Sequence, residues 1–91
     1  MRIITQKGEA DIPHESVMVF VNYDEPSRIH ASSVFDTFND MPLGVYNNEK
    51  DAMYVMKCIR YNKRKGCEYF HMPSAEIVPV WRQEESEGGE L

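Results

Sequence analysis

Apolar residues recur with two different periods along the 91 residues, and the change of period separates strands from a helix. From Ser16 to Tyr23 (SVMVFVNY) they alternate, with Val17, Val19, Val21 and Tyr23 on one face and Met18 and Phe20 on the other. Such alternation predicts a strand, and apolar side chains on both faces predict a central place for it in a sheet. Before it, the β-branched run Arg2–Gln6 meets Lys7-Gly8 and then Glu9–Ile12, a hairpin in which Gly8 supplies the positive φ of the turn and Pro13 ends the second strand. After it, the DEPS turn leads into a strand over Arg28–Phe35, with Ile29 and Ala31 inward and Arg28, His30 and Ser32 outward. Residues 36–42 (DTFNDMP) read as a loop carrying Phe38 and Met41, and Leu43–Tyr46 as a short strand.

At Asn48 the period lengthens. Ala52, Val55, Met56 and Ile59 share one helical face, an Asn suits the N-cap, acids fill the first turn, and Gly66 stands where a left-handed C′ residue is expected. The helix therefore spans about residues 48–65, and a last strand (CEYFHMP) ends at Pro73. Ile77–Trp81 reads as an edge segment or latch. The expected fold is α+β: one small antiparallel sheet of about five to six strands with one α-helix packed on one face. Residues 1–82 form a single domain, and the acidic stretch 83–91 is a disordered tail.

Charge sharpens this division. The net charge is −5, yet residues 1–82 hold eleven acids against ten bases, so the body is nearly neutral and Glu84, Glu85, Glu87 and Glu90 supply most of the excess. A chain this short buries roughly 60–65% of its unfolded surface, which leaves little volume for a deep cleft and favours binding at a surface. No apolar run approaches the roughly 20 residues of a membrane span. Two cysteines and no apolar leader imply a cytoplasmic, reduced protein without a disulfide.

Half of the ten basic residues fall within 57–65, with no acid among them. Opposite the apolar stripe stand Lys50, Tyr54, Lys57, Tyr61 and Lys65, alternating cations and rings that suit a protein interface or, as the alternative, stacked bases and phosphates. Basic side chains also complement the negative end of a helix, and duplex binding needs a broader basic footprint than one helix end. Phe38, in its polar loop, is a second candidate contact. His14, His30, His71, Cys58 and Cys67 lack the close pairs that fix a zinc site. Cys58 or Cys67 with His71 has no partner or oxyanion donor in the pattern, and no phosphate loop appears. The expected function is a non-enzymatic binding module without metal or cofactor, with a protein partner and a capacity to self-associate.

The stretches MRIITQKGE, RIHAS, LGVYNNEKDAMYVMKCI and EYFHMP, in that order over roughly residues 1–73, resemble a group of small uncharacterised proteins of Gram-positive bacteria and their phages. The resemblance implies the same compact α+β fold and a cytoplasmic accessory role encoded by a phage or mobile element. It transfers no catalytic residue. The chain departs from the group at VFDTFNDMP, where a shorter turn is usual, and in its tail.

Overall fold

The long helix is set at both ends by its own sequence. Asn48, in extended conformation, accepts a hydrogen bond from the Asp51 amide at 2.9 Å, and Glu49 and Asp51 place acids at the positive end of the helix dipole. At the other end Gly66 takes φ +77°, and the amides of Gly66 and Cys67 donate to the carbonyls of Lys63 and Asn62. That pair of bonds is the Schellman arrangement. The basic run at 63–65 is thus the last turn of a helix that stops where its glycine stops it.

The computed structural model describes residues 1–33 and 40–88, with side chains through residue 85. Its elements are β1 (Arg2–Ile4), β2 (Asp11–Pro13), a 3-10 turn (His14–Ser16), β3 (Val17–Val21), β4 (Arg28–Ser33), β5 (Asp40–Val45), α1 (Glu49–Arg64), β6 (Tyr69–His71) and α2 (Ile77–Gly88). The fold is α+β, but the strands form two sheets of three, ordered β2-β1-β6 and β3-β4-β5. Within the first sheet β1 pairs antiparallel with β2 and parallel with β6, Arg2 opposite Tyr69 and Ile4 opposite His71. The second sheet is antiparallel throughout. Its central strand is β4, not β3: Met18 on the outer face of β3 is half exposed, so apolar residues on two faces did not mean burial on two faces.

Gln6 joins the two sheets. Its amide donates to the Leu43 carbonyl, its side-chain oxygen accepts from the Val45 amide, and its side-chain nitrogen donates to the carbonyls of Val45 and Pro73. One side-chain amide thereby serves the free edge of β5 as a neighbouring strand would. Around this junction Ile3, Ile29, Leu43, Ala52, Val55, Ile59, Phe70, Met72 and Val78 form one core.

The loop expected over 36–42 is strand from Asp40 onward, and residues 34–39, which include Phe38, lie outside the described residues. Residues 77–88 are helical, where an edge segment and an acidic tail were expected. Pro79 falls in the first turn of α2, where a missing amide breaks no intrahelical bond, so the proline does not prevent a helix. Val78 of α2 is fully buried, and the Arg82 guanidinium sits 2.5 Å from the carboxylate of Asp51, which is 1% exposed.

Gly44 has no room for a side chain: a Cβ there would lie 2.9 Å from the hydroxyl of Tyr46, which is buried and donates to the Pro73 carbonyl at 2.9 Å. Gly44→Ala is expected to cost about 1–3 kcal/mol by overpacking, and Tyr46→Phe about 1 kcal/mol through the lost hydrogen bond. Because removal of the hydroxyl also removes the nearest clash, urea unfolding of the double variant should show a loss smaller than the two single losses added.

Candidate functional site

The exposed side of α1 follows from the position of its stripe. Successive residues turn by about 100°, so with Ala52, Val55 and Ile59 against the sheets the far side carries Lys50, Met53, Tyr54, Lys57, Arg60, Tyr61 and Arg64, of which Tyr54 is part-buried and the other six form the outer row. All six are exposed, Met53 at 48% and Tyr61 at 45%. Lys65, just past the last turn, brings its Nζ to 5.2 Å from the centre of the Tyr61 ring, within cation–π range. Lys50, Lys57, Tyr61 and Lys65 therefore stand together on one surface.

Tyr54 does not stand with them in water. It lies on the flank that α2 covers and packs against the core, with the Glu85 carboxylate and Cys58 beside its hydroxyl. Burial first, and then the neighbouring Glu85 carboxylate, push its phenol well above the usual range. Burial likewise raises the Cys58 thiol, which keeps it protonated at neutral pH. Phe38 cannot be placed, since it lies outside the described residues. The sequence pattern missed Met53, Arg60 and Arg64 as members of the row, although strict 3.6-residue spacing from Lys57 was enough to find them.

Ion pairing singles this surface out. Of the ten basic side chains, Arg2, Arg28, Lys63 and Arg82 are paired with Asp11, Glu25, Glu15 and Asp51. Lys7, Lys50, Lys57, Arg60, Arg64 and Lys65 have no ion pair among the described residues, and all but Lys7 belong to α1 or its C-cap. Lys63 shows what this helix end does to a carboxylate. Its Nζ lies 2.8 Å from Glu15 Oε1, which also receives the amino group of Met1 at 2.5 Å, and these two bonds hold the Glu15 carboxyl down at about 2. Desolvation and the same Lys63 charge lower the neighbouring His14.

Two other places carry chemistry-bearing groups. On the outer face of β4 and β5, His30 Nδ1 and Asp40 Oδ2 are 2.8 Å apart, with the Phe20 ring 6.1 Å from the imidazole. His30 Nε2 and Ser32 Oγ are buried without a hydrogen-bond partner among the described residues. The serine hydroxyl thus makes no bond to the imidazole, and nothing described there activates a nucleophile. A cleft of about 370 Å³ opens between the β1–β2 turn and β5, lined mainly by Ala10, Met41, Pro42, Leu43 and Val45 with Lys7 and Glu9 among them. Both cysteines are free: Cys67 donates to Asn62 Oδ1, while His71 lies exposed on β6. No three His, Cys, Asp or Glu side chains among the described residues gather as metal ligands, and no described helix is long and apolar enough to cross a membrane.

Fold and site together define a small α+β domain that presents one helix face of two apolar side chains and cations with no ion pair among the described residues. No family model matches the chain, and no curated protein or solved structure is significantly similar to it.

The Glu15 contact has a testable pH signature. Its carboxyl is depressed in the folded state, from 4.5 to about 2, so its contribution is present in full above about pH 4.5 and disappears as the pH falls through about 2. Urea unfolding of the wild type and Glu15→Gln should differ at pH 7 and converge near pH 2; a gap of unchanged size across that range would disprove the contact.

Proposed function

We propose that this chain is a non-enzymatic protein-binding accessory module that holds its partner through the outer row of α1. One observation carries the reading: five of the six cations without an ion pair among the described residues lie on or beside α1, around Met53 and Tyr61. Ring and guanidinium groups are the commonest anchors of protein interfaces, and unpaired charge at a rim steers the encounter with an opposite surface. The likeness to small proteins of Gram-positive bacteria and their phages adds a phage or mobile-element origin, a cytoplasmic setting and a host factor as target. A nucleic acid or nucleotide is the competing ligand for the same row, and self-association is a further use of it.

The test is affinity capture from a lysate of the source cell with immobilised wild type, Lys57→Glu/Tyr61→Ala, and Tyr69→Ala on the exposed face of β6 as control. Specific capture should fall about tenfold for the first variant and persist for the control, with circular dichroism unchanged in both. Equal capture by all three would end this assignment. Retention on a single-stranded oligonucleotide at low salt, released steeply by added salt and abolished by Lys57→Glu, would instead support the nucleic-acid reading.

A further inference from the structure

The row on α1 has an order as well as a charge. Read along the axis, it runs Lys50, Met53, Lys57, Tyr61 with Arg60 at its side, and Arg64, so cations and apolar groups alternate at steps of three or four residues. Each step is about one turn, roughly 5 Å, and the whole row is about 21 Å long. A side-by-side helix or extended segment presents its own side chains at a comparable repeat. The row is also bounded on one flank, where α2 covers α1 as Arg82 meets Asp51 and Glu85 lies beside Tyr54. Glu85 therefore borders the cationic row, and a phosphate chain wider than a single row meets this carboxylate.

We infer that the outer row of α1 docks an acidic polypeptide segment of the partner in which Asp or Glu alternates with large apolar side chains at about one-turn intervals. This deepens the protein-binding reading above by stating the partner's chemistry, and it rests on that reading. The carboxylates meet Lys50, Lys57, Arg60 and Arg64, and the apolar side chains cover Met53 and Tyr61. Lys63 and Glu15 already form such a contact within the chain, at 2.8 Å at the same helix end. Lys65, stacked beside the Tyr61 ring, adds a cation to one face of that ring and leaves its edge for an apolar neighbour. The apolar positions supply register, because charge alone accepts an acidic segment in any alignment. Exposed pairs of this kind are weak one by one and are screened by salt, so binding depends on several formed together.

The probe is a fluorescein-labelled peptide of 16 residues with Glu and Leu alternating at helical one-turn spacing, compared with its Glu→Gln counterpart and with an oligothymidylate of equal charge, by anisotropy at low salt. The full-length chain should bind the Glu peptide at least about tenfold more tightly than either comparator, and Lys57→Glu/Arg64→Glu should weaken it by about tenfold or more with circular dichroism preserved. Met53→Ala/Tyr61→Ala should weaken it while leaving the salt dependence unchanged. If the Gln peptide binds as well as the Glu peptide, acidity is not the recognised feature: the inference falls and the protein-binding reading stands. Tighter binding of the oligothymidylate overturns both. Absence of binding to all three overturns the inference, and capture from lysate then decides the broader reading alone.

Discussion

Burial of one stripe of α1 is the constraint from which the rest of the molecule follows. Two sheets of three short strands, several only three residues long, cannot close a core by themselves. Ala52, Val55 and Ile59 supply the missing layer and pack with Ile3 and Phe70 of the first sheet and Ile29 and Leu43 of the second. Each large aliphatic side chain buried there contributes about 1.5–3 kcal/mol, which exceeds what any of the surface ion pairs contributes. Once that stripe is fixed, helical geometry turns the opposite side of α1 away from the sheets. The cationic row is exposed because its opposite side is the core.

A second constraint orients the helix about its own axis. α2 adds one buried valine, one carboxylate–guanidinium pair and the Glu85 carboxylate beside Tyr54 along a single flank of α1. Asp51 is almost fully buried, with Oδ1 paired to Arg82 and Oδ2 without a hydrogen-bond partner among the described residues, so loss of the Arg82 contact would leave an uncompensated buried carboxylate. The effect is to take Tyr54 out of the exposed row and to set Glu85 beside it. The face that remains is narrower and more basic than helical spacing alone implies.

The sequence disclosed the parts whose causes are local. The hairpin around Gly8, an Asn cap at the helix start, the Gly66 stop and the stripe at 52, 55 and 59 each depend on residues within one or two turns of each other, and each stands where the pattern placed it. The parts that were not legible depend on distant partners. Parallel pairing of β1 with β6 joins residues 67 positions apart, such as Arg2 and Tyr69, and no local signal specifies it. Ile77-Val78-Pro79-Val80 carries β-branched residues and a proline, which read as a strand edge, and only docking on α1 makes the segment a helix. The placement of Tyr54 failed for the same reason: without α2 it belongs to the exposed face. Cys58, Cys67 and His71 are not brought together among the described residues, and the His30–Asp40 pair joins two residues read as merely outward or in a loop.

The rotation of α1 against the sheets decides which row faces water, and photochemically induced nuclear polarisation of the tyrosine rings reports that rotation directly. Rings open to a flavin dye should give strong signals from Tyr61, Tyr23 and Tyr69, while Tyr46 and Tyr54 stay dark. A bright Tyr54 together with a silent Tyr61 would show the helix turned the other way, with its cationic row against the sheets.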